Sequence, residues 1–270
     1  MVQINNVTVV SVKCPAENIF RIEIGRPDGF IFKPGQFARI GINPNNGGCD
    51  KIWRAQTIVS RAIDKTLAFY IVHLEGKPFS DTLKKIKTGD EVYLDALPYG
   101  HFTLDRFGPG GDLWLFSTGT GVAPYLCMLQ QERIWENFSS ITLVCSFRDQ
   151  TQFVYRDSLP LDNEKLTAFQ NKNYKKFSFI PIYTREKTAS DCIVKGMKIT
   201  NTFSMGYFKT LISNGELTFI LENSISTSNS KIMLSGNPTM IKTTRDFLKT
   251  LGLRSSRRNN PGHIAVENYW

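Results

Sequence analysis

The chain has 270 residues, 41% hydrophobic and 21% charged, which suits a protein that buries a core in one large or two ordinary domains. No stretch approaches the roughly 18 consecutive apolar residues of a membrane span, and Met1–Pro15 lacks a basic and then apolar leader, so a cytoplasmic protein with no membrane association is expected. A net charge of +9 admits nucleic acid, anionic membrane or an acidic protein as partner, while five cysteines (Cys14, Cys49, Cys127, Cys145 and Cys192), scattered without C-x-x-C spacing, argue against a disulfide framework, a zinc site or an iron–sulfur cluster.

The first hundred residues read as strands. VTVVSVKC (7–14), FRIEIG (20–25), QFARIGI (36–42), LAFYIVHL (67–74) and EVYLDAL (91–97) are short β-branched or aromatic runs, separated by turn formers such as RPDG, KPG and NPNNGG. Such regular punctuation predicts an antiparallel barrel or sandwich. SDTLKKIKTGD (80–90) reads as a helix that Ser80 caps and Gly89 ends.

After RFGPGGD (106–112) the pattern changes. LWLFS (113–117), ITLVCSF (141–147), FSFIPIYT (177–184) and KIMLSG (231–236) are buried-strand candidates, while PYLCMLQQERIW (124–135) and PTMIKTTRDFLKTLG (238–252) carry helical spacing. Strands alternating with helices predict a parallel sheet covered on both faces. The expected organisation is a barrel domain over 1–108 and an α/β domain over 112–270, joined by a Gly/Pro-rich linker. Two basic clusters fall in the second half: seven Lys/Arg against two acids between Asn171 and Thr200, and Arg254, Arg257 and Arg258.

The most informative stretch is Phe116-Ser-Thr-Gly-Thr-Gly-Val-Ala-Pro124, between a predicted strand and a predicted helix. Gly119 and Gly121 let the backbone turn tightly and approach a ligand, Pro124 suits a first helical turn, and the free N–H groups there favour a phosphate. A tight strand-to-helix turn alone also explains the glycines. The third glycine of the dinucleotide fingerprint is absent, as is an acid about twenty residues on to hold a ribose hydroxyl. Arg148 and Arg185 follow later strands instead and suit a 2′-phosphate, which favours NADP over NAD.

Six segments taken in order, PGQFARIGI (34–42), RAQTIVS (54–60), FYIVHLEGKPFSDTL (69–83), STGTGVAPYL (117–126), IMLSGNPTMIKTT (232–244) and PGHIAVENYW (261–270), resemble the bacterial-type ferredoxin/flavodoxin–NADP⁺ reductases. The resemblance covers nearly the whole chain and implies an FAD-binding antiparallel barrel followed by an NADP-binding parallel sheet. It implies that Arg54 grips the FAD diphosphate, and that Thr57 keeps a hydroxyl near the flavin beside Ala55 and Gln56. Phe69, Tyr70, Ile71 and Val72, with Lys77, Phe79 and Ser80, match segments that bind flavin and diphosphate through backbone groups and a helix start. Thr118, Gly119, Thr120 and Gly121 match the nicotinamide–diphosphate loop. Ser235 stands where a cysteine usually lies beside the nicotinamide, Glu267 matches the acid near the reaction centre, Tyr269 the ring that covers the flavin, and Trp270 the ring against the FAD adenine. Arg148 and Arg185 match residues that hold the 2′-phosphate, and a third family arginine falls near Lys195–Lys198. Gln56 departs from the family pattern, which has a flavin-stacking tyrosine there.

Each residue taken singly also fits a plain role as strand residue, surface charge or tail acid, and Cys127 and Cys145 read as core residues. The functional reading rests on one family predicting all these positions in one order. It implies a monomeric flavoprotein with FAD and NADP(H), no metal, and ferredoxin or flavodoxin as acidic carrier, steered by basic rims that include Arg254, Arg257 and Arg258. A related flavin reductase with a small-molecule or haem-protein acceptor is the alternative. A nucleic-acid-binding barrel fits poorly, because the basic clusters lie mainly outside the barrel half.

Overall fold

A computed structural model describes residues 3–44, 51–161, 166–185, 190–201, 208–257 and 260–269. Cys49, Arg258 and Trp270 lie outside the described residues. The chain packs as two compact units, Met1–Thr103 with Ala123–Gln131, and Leu104–Val122 with Glu132–Trp270.

The first unit is built on six antiparallel strands: β1 (Ile4–Ala16), β2 (Ile19–Gly25), β3 (Phe37–Ile42), β4 (Ile52–Thr57), β5 (Thr66–Val72) and β6 (Glu91–Asp95). Their order in the sheet is β4-β3-β6-β1-β2-β5. In β2 every second residue is buried, the period of a strand with one face on a core. β1 serves two neighbours: Ile4–Thr8 pairs with β6, and Val9–Ala16 pairs with β2 through two register shifts. Such irregularities bend a strand and raise its twist, so the sheet can curl. Just past β4, the Val59 N–H donates to the Ala68 carbonyl of β5 at 2.8 Å, which brings the two ends of the order together. The interior holds Val9, Ile22, Ile24, Ile40, Phe69 and Leu94.

Helix α1 (Pro78–Leu83) starts at an N-cap Lys77 without a side-chain cap, and Pro78 occupies the first turn. Ser80 is therefore not the cap. Its buried hydroxyl donates to the Leu74 carbonyl (2.8 Å) and accepts the Leu74 N–H (3.1 Å), tying the loop after β5 to the helix. Gly89 does not end the helix either; it sits in the Lys87–Asp90 turn, where its N–H donates to Val9.

The second unit carries a seven-stranded sheet formed by β7 (Asp112–Thr118), β8 (Ser140–Phe147), β9 (Phe177–Tyr183), β10 (Ser190–Val194), β11 (Met197–Asn201), β12 (Ser230–Gly236) and β13 (Ile264–Asn268). Its order is β11-β10-β9-β8-β7-β12-β13, with β9 to β13 through β7 parallel and the β10–β11 hairpin antiparallel at the edge. β7 is buried along nearly its whole length, as a parallel strand covered on both faces must be. The helix expected over 124–135 is two helices, α2 (Ala123–Leu129) in the first unit and α3 (Glu132–Asn137) in the second. The break falls at Gln130–Gln131, where the Gln130 amide donates to the carbonyls of Leu126 (2.7 Å) and Val59 (2.9 Å). Later helices are α4 (Ala168–Asn173), α5 (Phe208–Ser213), α6 (Glu216–Leu221) and α7 (Pro238–Thr250). Among the described residues no helix is long and apolar enough to cross a membrane, and no cluster of His, Cys, Asp and Glu is placed to hold a metal.

Candidate functional site

In the second unit the chain winds from β7 out to β8 and β9, then returns to place β12 and β13 on the other side of β7. The direction of winding therefore reverses between β7 and β12. Loops at the carboxyl ends of two such strands diverge, and that gap is where open α/β sheets take ligands. Thr118–Gly121 leaves β7 at this point, and Gly236–Asn237 leaves β12 beside it.

The two loops touch backbone to backbone. A Cβ on Gly121 would lie 2.6 Å from the Ser235 carbonyl oxygen and 2.7 Å from the Gly236 Cα, and one on Gly236 (φ +123°) would lie 2.3 Å from the Thr118 hydroxyl. Only glycine fits both places. The Asn237 N–H donates to Thr118 Oγ1 at 2.8 Å, and Asn237 then caps α7, its Oδ1 accepting from Thr239 (2.8 Å) and Met240 (3.2 Å). Gly119, at φ +52°, faces open space.

Behind the loops a row of residues runs in register across four strands: Cys145, Ser117, Ser235 and Glu267. The Ser117 hydroxyl donates to Cys145 Sγ at 3.1 Å, and burial pushes that thiol up to about 12, so Cys145 is a core group and no thiolate. Ser235 is fully buried, and its Oγ meets no partner among the described residues. Glu267 Oε2 is likewise buried without a partner, and burial raises this carboxyl to about 7. Buried polar atoms left unpaired at a strand end fit the polar edge of a bound cofactor. The Tyr269 N–H donates to the Gly236 carbonyl at 3.0 Å, which ties the end of the chain to this region.

One strand further out, Arg148 and Arg185 meet at the ends of β8 and β9. The Arg185 N–H donates to the Arg148 carbonyl at 2.9 Å, both side chains are exposed, and neither enters an ion pair among the described residues. Lys195–Lys198, expected near them, sits elsewhere. Gly196 donates to Phe177 at the start of β9, Lys195 pairs with Glu222 (2.7 Å), and Lys198 pairs with Asp191 (3.0 Å).

In the first unit Arg54, Ala55, Gln56 and Thr57 lie on β4, an end strand of the order whose assignment sequence reasoning missed. Arg54 is exposed, and its Nη1 donates to the Trp53 carbonyl (2.8 Å), leaving the rest of the fork outward. Gln56 is half-buried and Thr57 buried. Phe69, Tyr70, Ile71 and Val72 lie on β5, the other end strand, so their backbone forms a sheet edge. Lys77, Phe79 and Ser80 form the start of α1, which touches β4. The His73 imidazole Nε2 lies 2.8 Å from Asp81 Oδ1 and fastens the end of β5 to α1; no sequence motif marked this pair. The α2 residue Cys127 donates its thiol to the Ser60 carbonyl at 3.0 Å, and burial pushes it up to about 12, a core role as expected.

No protein-family model matches the chain. A flavodoxin/ferredoxin–NADP reductase of Buchnera aphidicola (subsp. Baizongia pistaciae) is 30% identical over 264 residues, covering 97% of each chain. The flavodoxin/ferredoxin–NADP reductase of Escherichia coli K12 is 30% identical over 240 residues, covering 88% of each. A crystal structure of a ferredoxin NADP⁺ reductase from Neisseria gonorrhoeae with bound FAD and NADP superposes with a TM-score of 0.86 at 28% identity, covering 100% of both chains.

Proposed function

The chain belongs to the flavodoxin/ferredoxin–NADP reductase family, and we propose that its two units each hold one of the nucleotides the reaction needs. When bound, FAD supplies hydride exchange with NADP(H) and single-electron exchange with ferredoxin or flavodoxin, which makes the protein an oxidoreductase.

The protein's own task is binding and placement. In the first unit the Arg54 fork takes the FAD diphosphate, since a planar guanidinium matches phosphate oxygens two at a time. The backbone edge of Phe69–Val72 and the helix start at Lys77, Phe79 and Ser80 complete the cradle. Thr57 offers a hydroxyl and Gln56 an amide to the flavin ring. In the second unit Thr118–Gly121 receives the nicotinamide and diphosphate, with Ser235 beneath them, and Arg148 and Arg185 hold the 2′-phosphate. Burial keeps the Glu267 carboxyl protonated to near neutral pH, and Tyr269 shields the ring from water. A cytoplasmic monomer belongs to the same proposal.

One observation carries the second half of this reading: the glycine-to-glycine contact of the two loops at the point where the strand order reverses. An absorbance scan of the purified protein, followed by anaerobic NADPH addition, tests it. A flavin spectrum that bleaches on addition is expected. A colourless protein that binds no added FAD refutes the proposal.

A further inference from the structure

We propose that a basic recess at the opposite end of the second unit's sheet is a separate binding site for the phosphate groups of a small polyanion. Its volume is about 430 Å³, and its lining includes Lys249, Arg254, Ser255, Arg257 and Asn260 over a buried Leu253. That size falls within the roughly 300–1,000 Å³ of small-ligand sites and exceeds what one phosphate fills.

The place sets it apart from the nucleotide loops. Ser255 bridges to Ile264, the first residue of β13, whereas Glu267 and Tyr269 lie at the other end of that strand. Five residues of strand span about 16 Å. An electron carrier bound at the recess would sit that far from the residue proposed to cover the flavin.

The chemistry is one-sided. Among the described residues, the lining of the recess holds no carboxylate. Lys249, Arg254 and Arg257 are exposed and form no ion pair among the described residues, and Asp246, one turn before Lys249 on α7, is already bound by Arg245 at 3.3 Å. Ser255 and Asn260 add neutral donors. Cations that line one recess without a described acid among them suit clustered phosphate charge.

The cations also start from a fixed backbone. The Arg254 N–H donates to His263 Nδ1 (2.9 Å), whose Nε2 then donates to the Thr227 carbonyl (2.9 Å). Arg257 and Asn260 exchange backbone hydrogen bonds at 3.0 and 3.1 Å. Ser256 turns inward, its hydroxyl donating to the Arg106 carbonyl (3.3 Å) while the Arg106 guanidinium donates to its carbonyl. Less ordering is then left for a ligand to impose.

Calorimetric titration of the full-length protein with inorganic tripolyphosphate, at constant ionic strength, tests the site. An Arg148→Ala/Arg185→Ala background removes the proposed nucleotide-phosphate contacts. Saturable one-to-one uptake should persist there and weaken about tenfold or more when Arg254→Ala and Arg257→Ala are added, a loss of about 1.4 kcal/mol. Uptake lost in the first background alone would assign the anion to the nucleotide site and overturn the proposal. So would uptake indifferent to Arg254 and Arg257, or uptake that never saturates. A double variant that slows flavodoxin reduction but still takes up tripolyphosphate normally would make the recess a carrier face instead. The tripolyphosphate uptake does not depend on the reductase assignment of the glycine loop, so its failure and the failure of that assignment are distinguishable.

Discussion

Glu267 shows what burial does to a single group. Its carboxyl stands at about 7 instead of the ordinary 4.5, with desolvation as the cause. Between those values the folded chain keeps a proton that the unfolded chain has lost. Stability of the cofactor-free protein should therefore fall as pH rises from about 4.5 to about 7, with the full cost, at most about 3 kcal/mol, present above that window. Glu267→Gln should raise Tm at pH 8 and leave it unchanged at pH 4; equal shifts at both would place the carboxyl in water. A backbone hydrogen bond joins Arg148 and Arg185 at their strand ends, and the proposed function has both side chains hold one 2′-phosphate. Replacing both by alanine should raise KM for NADPH about tenfold or more and barely change KM for NADH, given that charged hydrogen bonds contribute about 1.5–3 kcal/mol each. Equal effects on both donors would remove the 2′-phosphate role. Gln56 stands in β4 where the family pattern has tyrosine, and Gln56→Tyr should slow FAD release, followed as recovered flavin fluorescence on dilution, because an aromatic face replaces a polar amide. Unchanged or faster release would mean that the amide fits the ring better.

The loops and strands differ in how much of them the sequence reveals. β7, β8, β9 and β12 were legible because a parallel strand covered on both faces needs an unbroken apolar run, and no surface helix produces one. β4 was not: in IWRAQT only Thr57 is buried, so the strand carries no alternation to read. β11 hid for the same reason, since it is an edge strand with no buried residue. Periodicity ran straight through Gln130–Gln131 and joined two helices; at the break the Gln130 amide reaches the Val59 carbonyl, a long-range contact that no local period shows. The glycine loop was visible as a motif. Its partner was not, since Thr118 meets Asn237 across 119 positions. That contact gives the element-scale prediction. Gly121→Ala forces a methyl into the Ser235 carbonyl, and overpacking of this kind costs about 1–3 kcal/mol. Urea unfolding should show a lower midpoint, and NADPH affinity should fall with it. Full stability would mean that the two loops part easily.

At the scale of the whole molecule, the reductase reading makes the end of the chain part of the site. The bond from the Tyr269 N–H to the Gly236 carbonyl ties the tail to the glycine loops, at the residue just after β13. Gly236 in turn packs on Thr118. If Tyr269 covers the flavin, it holds the face on which nicotinamide must stack, and it has to leave before hydride passes. The tail then stabilises bound FAD and competes with the nicotinamide ring at once. Deleting Tyr269 and Trp270 should weaken FAD retention, shift the flavin absorption band and tighten NADP⁺ binding. Because the stacking gain is shared by NADH, while the proposed 2′-phosphate contacts of Arg148 and Arg185 are untouched, both donors' kcat/KM should rise together and their ratio should stay the same. Difference spectroscopy during NADP⁺ titration of the truncated and full-length proteins measures the first three effects, and steady-state rates the last. Unchanged affinity and spectrum, with neither donor's kcat/KM raised, would make the tail an ordinary extension of the sheet, and the bond to Gly236 a purely structural anchor.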